Sequence, residues 1–156
     1  MSPFLMNRNL SFLYQSHFFP LLCISNSYIQ YFTMRYSVII PVYNRPDEVD
    51  ELLQSLTAQY FKDFEVVVVE DGSSIPCKEV TDRYIDRLNI KYFSKPNSGP
   101  GQTRNYGAER SEGEYLIRLD SDVILPERYF DAIEAELLAS PADAFGGPDR
   151  AHDSFT

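Results

Sequence analysis

Cysteine, histidine and basic residues are all scarce in this 156-residue chain, and each shortage removes a class of chemistry. The two cysteines, Cys23 and Cys77, stand at neither a metal-binding nor a redox spacing, and one pair makes no disulfide framework. Such a content fits a reducing, cytoplasmic compartment. His17 and His152 lie near opposite ends, neither with a partner at ligand spacing. Lys and Arg number 14 against 23 Asp and Glu, giving a net charge of −9. There is no basic patch to release counterions from a nucleic-acid backbone, so nucleic acid is excluded as a partner. A Gly-Lys-Ser/Thr phosphate loop is also missing, and ATP or GTP hydrolysis of that type has no support.

A further shortage is local. Residues 1–34 contain no Asp, Glu or Lys and only Arg8 as a basic residue, whereas all 23 acidic residues lie from Asp47 onward. This first segment shows neither helical nor alternating periodicity, and its apolar run at 18–24 is too short to span a bilayer and is broken by Pro20. The expected organisation is a disordered, loosely attached or spurious extension over 1–34, followed by one domain over 35–156. A signal peptide, with Arg8 as its charged region and Cys23-Ile24-Ser25 as a weak cleavage site, is the second reading.

Within the domain, strands and helices alternate. Tyr36-Ser37-Val38-Ile39-Ile40-Pro41-Val42 and Phe64-Glu65-Val66-Val67-Val68-Val69 read as buried strands, the second closed by a turn at Glu70-Asp71-Gly72-Ser73-Ser74. Between them, Pro46 suits a first helical position, and Val49, Leu52, Leu53 and Leu56 repeat at 3.6-residue spacing. Val80, Tyr84 and Leu88 mark a second helix, Ile90-Lys91-Tyr92-Phe93 a third strand, and Thr103 to Arg110 a short helix after a breaker-rich loop. A fourth strand at Tyr115 to Leu119 precedes a helix from Pro126 to about Ala139. Short connections between alternating elements predict an α/β fold, a mostly parallel sheet flanked by helices.

The fourth strand runs into Asp120-Ser121-Asp122, two carboxylates one residue apart. Oxygen ligands in that arrangement suit a hard divalent cation, held by one or two carboxylates together with substrate phosphates. Aspartates after strands are commonly solvated or cap a helix; with Pro126 opening the helix, the cap would fall at Leu125 and not on this pair. Tyr43-Asn44-Arg45, Asp71-Gly72-Ser73 and the Gly99 to Arg104 loop each follow a strand as well, so a parallel sheet would bring all four segments to one edge. Asp71 could bind a base or ribose there, and Arg104 could face a base or diphosphate. The sequence Gly99-Pro100-Gly101 lacks the third glycine of a dinucleotide fingerprint and follows the third strand, which argues against a nicotinamide or flavin site.

Ser37-Val38-Ile39-Ile40-Pro41-Val42-Tyr43-Asn44-Arg45, Val67-Val68-Val69-Glu70-Asp71-Gly72-Ser73-Ser74, Gly99-Pro100-Gly101-Gln102-Thr103-Arg104-Asn105-Tyr106-Gly107 and Leu119-Asp120-Ser121-Asp122 together resemble the family 2 glycosyltransferases, over about residues 36–149. One departure is Glu70, where many relatives have Asp. The resemblance implies a Rossmann-like GT-A fold and inverting transfer of a sugar, most often from a UDP-sugar, to a saccharide or lipid-linked acceptor. It implies a nucleotide-sugar pocket of Pro41, Tyr43, Arg45, Asp71, Gly99, Arg104 and Asp120, with Mn²⁺ or Mg²⁺ held by Asp122 and Asp120. The general base is expected beyond Thr156, which makes the chain read as the truncated donor-binding portion of a longer enzyme. In that reading the full protein could lie at the inner face of the membrane through regions outside this chain. The alternatives are a non-catalytic nucleotide-binding fragment and a nucleotidyltransferase; the latter calls for a basic glycine-rich loop where this chain has Tyr43-Asn44-Arg45-Pro46-Asp47.

Overall fold

A computed structural model of the chain describes residues 4–7 and 34–146. In chain order the elements are β1 (Phe4–Asn7), β2 (Met34–Val42), α1 (Pro46–Thr57), β3 (Phe64–Asp71), α2 (Lys78–Asp82), β4 (Ile90–Lys95), α3 (Pro100–Ala108), β5 (Gly113–Arg118), α4 (Tyr129–Ala139) and β6 (Ala144–Gly146). They form a sheet of order β4-β3-β2-β5-β1-β6. The four strands from β4 to β5 are parallel, while β1 pairs antiparallel with both β5 and β6. The parallel sheet flanked by helices is the α/β architecture that the alternating sequence predicts.

Successive residues of a strand face opposite sides, and here both sides are covered, which is why the central strands are apolar without alternation. All eight residues of β3 are buried. On one face Val38, Ile40, Val66 and Val68 meet Val49, Leu52, Leu53 and Leu56 of α1 and Phe130, Ile133 and Leu137 of α4 in the main core. On the other, Ile39, Val67 and Val69 form a smaller core against Tyr106 and Ala108 of α3.

The β2–β5 joint is unusually close. A Cβ on Gly113 would lie 2.5 Å from the Tyr36 carbonyl carbon and 2.6 Å from the Ser37 nitrogen, so no side chain fits there. The Gly113 N–H donates to Ser37 Oγ at 2.8 Å, and that hydroxyl donates to the wholly buried Glu65 at 2.6 Å. Lys91 completes the cluster by pairing with Glu65 at 2.8 Å. Beside it, Arg35 pairs with Glu114 at 2.6 Å and Glu134 at 2.8 Å, and the Tyr36 hydroxyl donates to Glu134.

Several element boundaries differ from the sequence reading, each for a tertiary reason. Glu70 and Asp71 continue β3 instead of turning, because both pair in register with β4, at Ser94 and Lys95. The second helix is regular only over Lys78–Asp82; tighter turns then bring Tyr84 and Leu88 into the core. The third begins at Pro100, three residues earlier than expected, with proline in the first turn and Gly99 as its cap. Pro126 does not open α4. Its carbonyl accepts from the Gln59 side chain at 2.8 Å and the Glu127 carbonyl from the Tyr60 N–H at 3.2 Å, which holds this stretch as a turn and delays the helix to Tyr129.

Within the expected extension over 1–34, Phe4–Asn7 is a strand on β5, Phe4 opposite Arg118, and Met34 opens β2. The rest of that segment, with Arg8, His17 and the weak cleavage site at Cys23, lies outside the described residues, as does His152. Among the described residues no helix is long and apolar enough to cross a membrane.

Candidate functional site

Because β2 to β5 are parallel, their carboxyl ends share one edge of the sheet. The chain steps from β2 outward through β3 to β4, then returns to place β5 on the other side of β2, so strand order reverses beside β2. Open α/β sheets bind ligands in the crevice at such a reversal. Here a cleft of ≈ 310 Å³ opens at that point.

Each parallel strand end contributes to it. From β2 come Pro41, Tyr43 and Arg45; from β3, Asp71; from the start of α3, Pro100 and Arg104; from the segment after β5, Asp120 and Asp122. Of the residues named above for the nucleotide-sugar pocket and the metal, only Gly99 is absent from the lining. It caps α3, and its N–H donates to Asp71 Oδ2 at 2.9 Å. Val42 and Ser121 also line the cleft. Neither carries a charge or a chemistry that would single it out in the sequence; each lies between two other lining residues.

Asp71 is 4% exposed and strongly tethered. Its Oδ1 accepts from the Ser98 N–H at 2.9 Å and pairs with Lys95, whose ammonium also reaches Ser98 Oγ at 2.5 Å. The Asn97 side chain donates to the Asp71 carbonyl at 2.9 Å, and Gly72 is squeezed between them: φ is +74°, and a Cβ there would lie 2.7 Å from the Asn97 nitrogen. Asp71 thus organises the 96–99 loop from below while facing the cleft. Lys95 was missed in the sequence. The signal for it was modest: a cation ending a short strand, directly before a loop of chain breakers.

Arg104 and Asp120 form an ion pair across the cleft. Arg45 is more exposed and pairs with Glu48 at 3.2 Å, and the Tyr43 ring is 53% exposed at the rim. The Asp122 carboxylate is exposed and has no hydrogen bond or ion pair among the described residues. Three carboxylates therefore stand at the cleft: Asp71 tied to Lys95, Asp120 tied to Arg104, and Asp122 open. No group of three or more His, Cys, Asp or Glu among the described residues is arranged to hold a metal alone. That fits a hard cation completed by phosphate oxygens and water, and does not fit an all-protein cage.

Three carboxyls are held below their usual range. Burial pushes Asp71 up, but hydrogen bonds from Lys95, Ser98 and Thr103 and the charge of Lys95 outweigh it. Burial is likewise overcome at Glu65 by Lys91, Ser37 and the Glu112 N–H, and at Glu134 by Arg35 and Tyr36. A depressed folded-state pKa means that the fold favours the ionised form. The stabilisation is complete above the unfolded carboxyl pKa of about 4 and is lost as pH falls below it. Thermal melts should be flat between about pH 7 and 5 and drop steeply below about pH 4. A melting temperature unchanged down to pH 2.5 would contradict these assignments.

Sheet, strand-order reversal and cleft together define a Rossmann-like fold of GT-A type. The sequence profile of Glycosyl transferase family 2 matches residues 37–154, and the chain belongs to that family. It is 40% identical over 93 residues to the poly(ribitol-phosphate) beta-N-acetylglucosaminyltransferase TarS of Staphylococcus aureus, an alignment covering 57% of this chain and 16% of that one. The crystal structure of TarS 1-349 in complex with UDP-GlcNAc is similar with a TM-score of 0.65 at 36% identity, covering 68% of this chain and 32% of that one. The mannosyltransferase PcManGT of Pyrobaculum calidifontis, in complex with GDP-Man and Mn2+, is similar with a TM-score of 0.61 at 25% identity, over 69% and 33% of the two chains. The chain likewise spans only 16% of the length of two Rickettsia glycosyltransferases that it matches.

Proposed function

We propose that this chain binds the nucleotide-sugar donor, a UDP-sugar, for an inverting glycosyl transfer to a hydroxyl of a saccharide or lipid-linked acceptor. The observation that carries the reading is the convergence of Asp71, Arg104, Asp120 and Asp122, drawn from two strand ends and one helix, on a single cleft at the strand-order reversal. The likeness to TarS bound to UDP-GlcNAc supports uracil as the base.

In this reading Asp71 faces the base. Its Oδ2, which accepts the Gly99 N–H, has the acceptor chemistry that an imide N–H such as that of uracil calls for. Tyr43 supplies an exposed ring for the base to pack on, and Pro41 shapes the floor. Arg45 and Arg104 offset the diphosphate charge, while the first turn of α3, at Pro100, presents its positive end to the same space. Asp120 turns toward the ribose and Asp122 toward a divalent cation. Mn²⁺ or Mg²⁺, when bound, stabilises the negative charge that gathers on the departing nucleoside diphosphate. Inversion also requires a carboxylate to take the acceptor's proton, and we assign that base to a position outside the described residues.

Calorimetric titration with UDP, once in Mn²⁺ and once in EDTA, tests the reading. Binding that needs the metal is expected. Equal binding in both would remove the metal from the site, and no binding in either would remove the nucleotide.

A further inference from the structure

Next to Asp71 in β3 lies a buried carboxylate that is not among the residues lining the cleft. Glu70, the penultimate residue of β3, is 1% exposed, and the groups that bond it are all neutral. Oε2 accepts from the Cys77 N–H at 2.8 Å, the Cys77 thiol at 3.1 Å and the Tyr92 hydroxyl at 3.0 Å. Oε1 accepts from the Ser73 hydroxyl. Burial, and then the hydrogen bonds to Glu70, push the Cys77 thiol and the Tyr92 phenol upward, so both remain protonated donors.

The chain of contacts continues upward. With its proton committed to Glu70, Ser73 Oγ can only accept, and it does so from the Asn44 N–H at 2.8 Å. Asn44 lies between two cleft-lining residues, Tyr43 and Arg45, and it has φ +56°, a left-handed conformation that asparagine tolerates better than other non-glycine residues because its side chain can hydrogen-bond locally. Its Oδ1 accepts from Ser74 N at 2.8 Å, Ser74 Oγ at 3.1 Å and Ile75 N at 3.0 Å. The backbone carrying Tyr43 and Arg45 is thus pinned on both sides of Asn44, through its amide and through its side chain, to the turn after β3. That turn is in turn pinned to Glu70.

We propose that Glu70, Ser73 and Asn44 act as positioning residues, a relay that fixes the Tyr43–Arg45 wall and so sets the affinity of the cleft for its nucleotide. This rests on the nucleotide reading above. An unpinned wall would have to be ordered at the moment of binding, and that ordering would be subtracted from affinity. Glu70 is buried and its loss endangers the fold, so the test uses two milder changes. Ser73→Ala breaks the relay at its middle, and Asn44→Gly removes the Oδ1 acceptor while tolerating the positive φ.

The experiment combines UDP titration in Mn²⁺, hydrogen exchange of the segment at 43–45, and thermal melting on the intact 156-residue chain. Both variants should exchange faster at 43–45 and bind UDP at least about tenfold more weakly, since Ser73→Ala breaks two hydrogen bonds of the relay and Asn44→Gly three, while melting stays cooperative and the fold is kept. Unchanged exchange, or unchanged affinity alongside faster exchange, would overturn the proposal. If the unaltered chain binds no UDP, the nucleotide reading falls by itself, and the exchange measurement still decides whether the relay holds the wall.

Discussion

Replacing Asp122 with alanine is expected to weaken Mn²⁺-dependent binding of UDP by about 100-fold while leaving the fold intact. The size follows from the site's economy of ligands. Of the three cleft carboxylates, Asp71 is paired with Lys95 and Asp120 with Arg104, so Asp122 is the one fully open to a cation. Removing it would take away the one cleft carboxylate that has no ion-pair partner among the described residues and is free to meet a hard ion. The fold should not notice. Asp122 is exposed, and substitutions at exposed positions without partners generally change stability by less than about 0.5 kcal/mol. Calorimetry in Mn²⁺ measures the first effect and urea denaturation the second. Undiminished metal-dependent binding in D122A would place the cation elsewhere.

The second large effect concerns stability. Phe130→Ala should cost about 3–5 kcal/mol, the range for truncating a buried aromatic. Phe130 is wholly buried at the start of α4, where its ring stacks on Phe64 of β3 at 4.5 Å between centroids. It also meets Tyr36 at 5.5 Å, Phe61 at 5.9 Å and Tyr129 at 5.5 Å. One ring therefore joins a helix, two strands and the segment before β3. Small domains are stable by only about 5–15 kcal/mol, so this single truncation removes a large share of the total. Urea denaturation should show a lower midpoint with an unchanged slope. A loss below about 1 kcal/mol would mean that α4 does not dock through this ring.

The main features of the fold were legible because its central strands are buried on both faces. Val38 to Val42 and Val66 to Val69 need no partner to be recognised as core strands, and α1 announces itself through Val49, Leu52, Leu53 and Leu56. The candidate site was legible for a related reason: a parallel sheet sends every strand end to the same edge, so polar residues just after strands converge. What escaped the sequence depends on contacts between distant segments. Nothing local says that the Pro126 carbonyl will be taken by Gln59, 67 residues away, or that Lys95 will close on Asp71. The surroundings of Glu70 were hidden too, since a glutamate read as part of a turn gives no sign that Cys77, Ser73 and Tyr92 will gather around it.

The tight β2–β5 joint has a consequence at the opposite end of the sheet. Gly113 opens the strand that delivers Asp120 and Asp122, and at about 3.3 Å per residue the first of these lies some 23 Å further along. Sliding β5 by one step would push a side-chain-bearing neighbour into the space where only glycine fits, and would turn every residue of the strand to the wrong face. The bare position at the bottom thus serves as the zero mark of a ruler. How far the two aspartates stand above the sheet is measured from a residue that has no side chain and never comes near the cleft.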